Sequence, residues 1–240
     1  MIKGLAFKGD VNVENALIDC FLQYGHELVV EKDEIIFNAA DYAQNYSAYF
    51  LVSGLVGLTT ISKEGEERIY LYFNGKRLIG FAPLLMSTIS EQAVGRMRKI
   101  GHAEVFLIAK SRCVLYQLRE PDYKRLLEED FEFNRLVLQV LIANYIDLLD
   151  HFQQAMEESA GTRFCRLLME SYIEKDGKKV LPKSLTFLEM SKYLGTHPVT
   201  VSRIVALLKK DGCIAKEQGM VVIKDEERLL ELIESGEEIR

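Results

Sequence analysis

The sequence predicts an α+β fold built from three consecutive regions, and three patterns support this prediction. Short runs of β-branched and aromatic residues alternate with turn residues over 25–118. A stretch without proline or glycine follows over 122–158, with apolar residues at steps of three and four. Two short helical segments then flank Gly195. We therefore expect three domains, with bounds at 1–120, 121–159 and 160–240.

The first region is predicted to fold as a small β-barrel or roll. Many short strands at close spacing are typical of such folds. Turn chemistry separates the strands at Gly54, at the corner 63–65 and at Asn74-Gly75. The stretch 82–101 is expected to be a longer loop with room for a helical turn. The predicted strands are Leu28–Val30, Glu34–Phe37, Ala48–Val52, Leu55–Ser62, Arg68–Phe73, Arg77–Ile79, Ala103–Ile108 and Cys113–Leu118.

The second region is predicted to be one long helix that opens near Pro121. A heptad seam runs along it, and a second apolar stripe contains Val137, Ile142, Ile146 and Leu149. A helix with two apolar faces can cover its own roll on one side and a partner helix on the other. The alternative is a core helix of a monomer, but the length favours a homodimer. The residues predicted at the dimer interface are Leu138, Leu141, Tyr145, Leu148 and Phe152.

The third region is predicted to begin with a hinge at 159–161 and a helix over 162–174. Thr186 and Glu189 fit a capping box that opens the next helix, which continues to about Leu194. Gly195 permits the left-handed backbone that closes it. Thr196 or His197 can cap a further helix, in which Pro198 suits the first turn. Two short helices joined around a glycine predict a helix-turn-helix.

The last helix of this motif has one apolar and one polar face. Small residues on the polar face permit close approach to a DNA groove, and an arginine there can bind guanine or phosphate. The segments 213–216 and 220–223 around Gln218-Gly219 are predicted to form a β-hairpin wing. The apolar face holds Val201, Ile204, Val205 and Leu208; the polar face holds Val199, Thr200, Ser202, Arg203, Ala206 and Lys210.

The distribution of charge supports nucleic-acid binding in this region alone. The chain carries a net charge of −6. Residues 160–224, however, hold 12 Lys and Arg against 6 Asp and Glu, a net charge of +6. A basic block inside an acidic chain is typical of one nucleic-acid-binding module.

Composition and motif content exclude other classes of protein. The chain is 48% hydrophobic and 28% charged, with a mean hydropathy of zero. No apolar run approaches the ~20 residues that cross a bilayer, so we expect no membrane partner. Lys8 and Asp10 interrupt any N-terminal signal segment, and a cytoplasmic location is expected. Without a phosphate-binding glycine loop or a nucleophile elbow, no catalytic residue and no enzyme activity are predicted.

The cysteines are predicted to be reduced and mostly buried thiols. Cys20, Cys113, Cys165 and Cys213 lie far apart, with no histidine at ligand spacing. No metal and no cofactor are therefore expected, although a redox role for one exposed thiol stays open.

The order of roll, long helix and winged helix-turn-helix resembles the Crp/Fnr family of transcription regulators over nearly the whole chain. The matching motifs are Tyr49 to Val56, Leu78-Ile79-Gly80 and, most specifically, Leu194 to Arg203. The resemblance implies a jelly-roll domain (a double-stranded β-helix) like that which binds cyclic nucleotides, an effector-controlled homodimer, a palindromic double-stranded DNA operator, and RNA polymerase as a partner. It also implies that Val199, Ser202 and Arg203 face the bases. The predicted DNA-binding residues are Thr196, His197, Val199, Thr200, Ser202, Arg203 and Lys210.

Departures from the family pattern bear on the effector. Members that bind cyclic nucleotides place an acidic residue after the glycine matching Gly80, where this chain has Phe81, and no Arg-Ser or Arg-Thr pair follows within 82–110. The expected effector is therefore a small hydrophobic or aromatic molecule, as in the branch that senses chlorinated aromatics. The alternative is a regulator of the same fold that responds to a cyclic nucleotide, to haem through His26, His102 or His151, or to redox state. The predicted effector-binding residues are Gly80, Phe81, Leu84, Leu85, Leu141, Asn144 and Tyr145.

A prediction about the operator follows from Val199. Many family members have glutamate at this position, which can accept a hydrogen bond from cytosine, whereas valine can contact only a thymine methyl group. An A·T-rich half-site resembling TTAA is therefore expected. A regulator that needs no effector is a further open alternative.

Overall fold

The computed structural model describes residues 11–39, 46–87, 99–100 and 103–237. They form two compact units, and the boundary between the units lies between Ile146 and Asp147. The prediction that 1–10 contains no signal segment lies outside the described residues, as do residues 88–98 of the predicted loop and the candidate haem ligand His102. None of the helices in the described ranges combines the length and the apolar character needed to span a bilayer.

The N-terminal unit contains two antiparallel sheets, with strand orders β1-β9-β3-β6 and β2-β8-β4-β5, and β7 pairs with β8. This confirms the predicted jelly roll. Short turns at Gly54 and Gly75 connect consecutive strands, as the turn signals predict. The elements are α1 (Val11–Tyr24), β1 (His26–Val30), β2 (Ile35–Asn38), β3 (Ser47–Ser53), β4 (Leu55–Ile61), β5 (Glu67–Asn74), β6 (Arg77–Ile79), α2 (Ala82–Ser87), β7 (Lys99–Ile100), β8 (Ala103–Ala109), β9 (Cys113–Arg119), α3 (Glu120–Glu129) and α4 (Phe131–Glu157).

Strand β3 is buried on both faces, and this explains its nearly continuous apolar sequence. Because side chains alternate along a strand, Tyr49 and Leu51 enter the core between the two sheets. Ala48 and Phe50 enter a second core, formed with α1, α2, α3 and the first turns of α4. The helix α1 was not predicted, and it contributes the fully buried Phe21 to this second core.

The predicted single helix over 121–159 is wrong at one point, because the chain breaks between α3 and α4. Asp130 leaves the helical conformation, and its Oδ1 accepts a hydrogen bond from the Phe133 amide at 3.0 Å. The aspartate side chain thus caps a second helix. The second apolar stripe also differs from the prediction. Only Val137 of that stripe is buried, whereas Ile142, Ile146 and Leu149 are exposed.

The described residues of the C-terminal unit form a four-stranded sheet, with order β10-β11-β13-β12, and four helices after the end of α4. Leu167, Val201, Leu208 and Leu229 are among its fully or almost fully buried residues. The elements are α5 (Ala160–Ser171), β10 (Ile173–Lys175), β11 (Lys178–Val180), α6 (Phe187–Leu194), α7 (Pro198–Lys210), β12 (Ile214–Glu217), β13 (Met220–Ile223) and α8 (Glu226–Ser235).

Two local predictions in this unit are wrong. The expected hinge at 159–161 is a helix start, since Ser159 Oγ accepts a hydrogen bond from the Thr162 amide at 3.1 Å. The helix expected to continue to 174 ends at Ser171, and a β-hairpin follows. Its turn uses Asp176 and Gly177 at φ of 51° and 70°, a pair that favours a two-residue hairpin turn.

Candidate nucleic-acid interface

The first helix of the helix-turn-helix, α6, begins at a threonine cap. Thr186 Oγ1 accepts a hydrogen bond from the Glu189 amide at 3.2 Å, as predicted. The reciprocal half of the capping box is not formed. The Thr186 amide donates to the Ser184 carbonyl, and Glu189 Oε1 accepts from Lys192 Nζ at 3.0 Å. The carboxylate of Glu189 therefore forms an ion pair with Lys192 of the same helix instead of capping its start.

The turn that follows fixes the start of α7. Gly195 has φ of 60° and ψ of 34°, the left-handed conformation that glycine adopts at low cost. Of the two predicted capping residues, His197 is the cap: its Nδ1 accepts a hydrogen bond from the Val199 amide at 3.2 Å. Pro198 occupies the first turn, where the amide proton that proline lacks would have no hydrogen-bond partner within the helix.

The helix α7 has one buried and one exposed face, with the membership that the sequence pattern predicts. Its buried residues are Val201, Ile204, Val205 and Leu208. Val199 is 67% exposed although it is apolar. Ser202, Arg203 and Lys210 are exposed as well, and these four residues share one face because they lie close to whole helical turns apart. Of the other predicted DNA-binding residues, His197 is exposed, and Thr196 and Thr200 are half-buried.

The wing is a tight hairpin that carries an ion-pair cluster. Gln218 and Gly219 form its turn at φ of 49° and 81°. Glu217 accepts hydrogen bonds from Lys178 and Lys224, each at 2.5 Å. The two lysines lower the pKa of Glu217 to about 2. Glu217 is therefore ionised at neutral pH and offsets part of the positive charge of the wing.

Lys183 and Lys216 are candidate phosphate-binding residues that the sequence analysis missed. Both are exposed at a groove of about 230 Å³ between the segment that precedes α6 and the wing. Neither forms an ion pair with a residue in the described part of the chain. Exposed cations beside a helix start suit contacts to phosphate oxygens. A lysine next to a predicted helix cap, such as Lys183 before Thr186, is a signal that could have identified one of them.

The predicted effector residues separate into two groups. Phe81 and Leu84 are buried in the second core of the N-terminal unit, and Leu85 packs against it. Gly80 precedes them at φ of 73°, and a Cβ atom there would lie 2.8 Å from Tyr49 Cδ2. The second group belongs to neither core cluster: Leu141 is 39% exposed, Tyr145 is 60% exposed, and Asn144 is half-buried. The residues of the first group therefore lie together in one core, whereas the residues of the second group lie along α4.

The predicted dimer-interface residues are all exposed on α4. The exposed fractions are 50% for Leu138, 39% for Leu141, 60% for Tyr145, 36% for Leu148 and 61% for Phe152. Exposed large apolar residues at this density on one helix are unusual for a soluble protein surface.

The four cysteines are free, and three of them are buried, as predicted. Burial raises the pKa of each thiol and so disfavours the reactive thiolate. The described residues contain no group of three or more side chains that could hold a metal ion. Of the candidate haem ligands that are described, His26 is exposed at the start of β1, and His151 packs against Tyr193 in a tilted arrangement with ring centroids 4.5 Å apart.

Comparison with known proteins agrees with the helix-turn-helix described above. The Crp-like helix-turn-helix domain family matches residues 162–232. No curated protein sequence is a significant match to the chain.

Solved structures match over most of the chain. FixK2 from Bradyrhizobium japonicum has a TM-score of 0.69 at 17% identity, covering 87% of this chain and 96% of that chain. TTHA1359, a CRP/FNR family regulator from Thermus thermophilus, has a TM-score of 0.68 at 20% identity, covering 88% and 100%. A variant of CprK complexed with OCPA has a TM-score of 0.60 at 18% identity, covering 90% and 93%.

The matched structures are of several regulators and do not single out the branch that senses chlorinated aromatics. The matched family and the structural neighbours are transcription regulators and not enzymes. Residues 162–232 therefore match the Crp-like helix-turn-helix domain family, and the chain has the fold of the Crp/Fnr transcription regulators.

Proposed function

We propose that this chain is a homodimeric, effector-controlled transcription regulator that reads an A·T-rich palindromic operator through α7. The observation that carries this proposal is the exposed face of α7, where Val199, Ser202 and Arg203 lie together opposite a fully buried face. A helix anchored in this way by a left-handed glycine turn can enter a major groove as a rigid element. Lys183 and Lys216, which line one groove between the segment before α6 and the wing, would then bind phosphates of the DNA backbone.

Each side chain on this face suits a different contact. The Arg203 guanidinium can donate two hydrogen bonds to guanine, and the Ser202 hydroxyl can donate or accept. Val199 presents two methyl groups and no polar atom, so its favourable contact is with the methyl group of thymine. We infer that an A·T pair lies against Val199 in each half-site.

The substitution Val199→Glu tests this inference. A glutamate at this position can accept a hydrogen bond from cytosine N4, so the preferred pair should change from A·T to C·G at one position in each half-site, with discrimination of about 1–3 kcal/mol. Selection from a random palindrome library, performed in parallel with both proteins, measures the change. The exposed Ala206→Ser variant on the same face is the control. Recovery of a G·C pair by the wild-type protein would reject the contact.

The dimer proposal is supported by the exposed apolar residues of α4. Tyr145 and Phe152 lie seven residues apart, the spacing that keeps residues on one seam of a two-stranded coiled coil. Pairing this seam across a two-fold axis would cover side chains that are about 60% exposed in the single chain. A symmetric dimer presents two α7 helices, which read half-sites about one DNA turn (~34 Å) apart.

We further propose that the effector is a small hydrophobic or aromatic molecule and not a cyclic nucleotide. The support is Phe81, which is only 3% exposed and packs in an apolar cluster with Leu84. A ribose hydroxyl placed against this ring would lose its hydrogen bonds to water without replacement. Binding of the effector would shift an existing equilibrium between two dimer conformations.

Thermal denaturation with added ligands tests the effector class. A ligand that binds only the folded state at 100 times its Kd stabilises it by about 2.7 kcal/mol. We expect cAMP and cGMP to leave the melting temperature unchanged, and some members of a panel of small aromatic acids to raise it. A clear increase with either cyclic nucleotide would reject the proposal in favour of a cyclic-nucleotide-responsive regulator.

RNA polymerase is the proposed protein partner at the operator. A regulator that occupies one face of DNA acts either by contacting the polymerase or by blocking its site. Retention of polymerase on operator-bearing DNA with and without this protein distinguishes the two outcomes.

A further inference from the structure

The groove of about 230 Å³ between the segment that precedes α6 and the wing lies wholly inside the C-terminal unit. It is called the wing groove below. The buried side chains of Leu181, Leu185 and Val221 line it, together with the half-buried side chains of Phe187 and Met220. Most of the side chains that surround this groove are therefore apolar.

Backbone hydrogen bonds hold the wing groove in shape. The Leu181 amide donates to the Val221 carbonyl oxygen at 2.9 Å and so joins the segment before α6 to β13. The Leu185 amide donates to the Pro182 carbonyl oxygen at 3.0 Å, and Thr186 then caps α6. Because the chain itself makes these bonds, a ligand would enter a formed site and would not have to order it.

The charged side chains that line the wing groove are both cationic. Lys183 and Lys216 are exposed, neither pairs with a described carboxylate, and no described aspartate or glutamate lines the groove. Glu217 follows Lys216 on β12, but successive side chains of a strand point to opposite faces. Its carboxylate accepts hydrogen bonds from Lys178 and Lys224 instead. An anion in the groove would therefore meet two lysines and no described carboxylate.

The volume and the lining of the wing groove indicate a class of ligand. An apolar cavity of about 150 Å³ is large enough for benzene, so a groove of about 230 Å³ has room for one ring or a short aliphatic chain with a small terminal group. Apolar walls favour the ring or chain, and two cations favour a negative charge on the terminal group. A DNA phosphate alone would use the lysines and leave the apolar walls uncovered.

We propose that the wing groove binds a small amphipathic anion, namely a carboxylate on an aromatic or short aliphatic body, and that this anion competes with DNA phosphates for the two lysines. The apolar body would lie against Phe187 and Met220, and the carboxylate would bind Lys183 and Lys216. The effect on DNA rests on the proposed function, whereas the binding of the anion does not. The site is separate from the proposed effector residues, all of which precede residue 147.

Three probes separate the contribution of charge from that of shape. Phenylacetate has a ring and a carboxylate, phenylacetamide has nearly the same shape without the charge, and acetate has the charge without the ring. We expect phenylacetate to bind the full-length protein with a Kd of about 1 mM, as is ordinary for a ligand of about ten non-hydrogen atoms. The other two probes should bind at least about fivefold more weakly.

NMR of protein labelled with carbon-13 at the methionine methyl groups locates the bound probe. The ring of phenylacetate should shift the resonance of Met220, which lines the wing groove, and should leave that of Met156 on α4 unchanged. The spectrum of the variant Met220→Leu assigns the resonance.

Substitution of the two lysines tests the role of charge. The variant Lys183→Gln/Lys216→Gln should bind phenylacetate about fivefold more weakly than the wild type, as expected for the loss of exposed ion pairs. The control Lys175→Gln/Lys209→Gln removes the same charge from exposed positions of the same unit outside the groove, and it should bind like the wild type. All four lysines are exposed, so both variants should fold.

Competition with DNA gives the final measurement. Phenylacetate at about ten times its Kd should weaken operator binding by the wild type at least about tenfold, whereas acetate at the same concentration and ionic strength should not. An unmoved Met220 resonance, equal binding of phenylacetate and phenylacetamide, or unchanged operator affinity would overturn the inference. A protein that binds phenylacetate at Met220 but selects no DNA sequence would contradict the proposed function and leave the groove as an anion site.

Discussion

The substitution Phe152→Glu should convert the protein to a monomer and reduce operator affinity by at least about 100-fold. In the proposed dimer, Phe152 faces its two-fold mate on the seam of α4, and two carboxylates at that position would repel each other in an apolar contact. Without the dimer, the second half-site no longer benefits from a high effective concentration. The side chain is 61% exposed in the single chain, so the fold of the monomer should survive.

Sedimentation or native mass spectrometry at micromolar concentration measures the first effect, and operator titration measures the second. The control is Gln153→Glu, at an adjacent exposed residue that is not a position of the heptad seam. It adds the same charge to the same helix and should remain dimeric. A Phe152→Glu protein that keeps the mass of a dimer would show that α4 does not form the interface.

The substitution Arg203→Ala should weaken specific binding by about 1–3 kcal/mol per half-site and relax the preference at one base pair. Arg203 is exposed on α7, and no described residue forms an ion pair with it. Its removal therefore deletes a DNA contact without disturbing an internal one. The unfolding free energy should change little, as is usual for exposed residues that lack structural contacts.

The matched control is Arg228→Ala on α8, which removes the same charge from the same unit. Arg228 pairs with Glu231 and Glu237 rather than with the face of α7. Titration against the selected operator and against variants with one changed base pair separates specific from non-specific loss. A uniform loss on all sequences would show that Arg203 binds phosphate and reads no base.

The helix-turn-helix was predictable because local chemistry determines it. Thr186 supplies a side-chain cap, Gly195 supplies a left-handed turn, and Pro198 fits a first helical turn. Each signal acts within four residues, and the apolar positions Val201, Ile204, Val205 and Leu208 agree with them. Where local signals and the hydrophobic pattern agree, sequence analysis identifies the element, its faces and its exposed residues.

The errors lie where two local signals compete or where distant contacts decide. Between Ser171 and Val180 the helical periodicity competes with the turn preference of Asp176-Gly177, and the turn prevails because β11 also pairs with β13. Asp130 interrupts an otherwise uniform helical stretch because its side chain caps the next helix. Helix α8 was not predicted, because it lies in the strongly acidic segment 225–240. Its Leu229, Leu232 and Ile233 are nevertheless buried at helical spacing.

The effector residues illustrate a different kind of limit. Phe81 and Leu84 are apolar residues whose sequence pattern is the same in a core as in a ligand site, and the structure places them in a core with Phe50 and Tyr123. Leu141 and Tyr145 are exposed along α4. No periodicity distinguishes a dimer seam from the wall of a pocket when both use the same side chains.

Selection of DNA from a random library by the purified wild-type chain tests the central claim most directly. The account predicts one enriched motif with two-fold symmetry, its half-site centres about one helical turn (~34 Å) apart, and an A·T pair at the position that Val199 contacts. The complex should contain two protein chains per duplex. Enrichment of no sequence, or of a single asymmetric half-site bound by one chain, would contradict it.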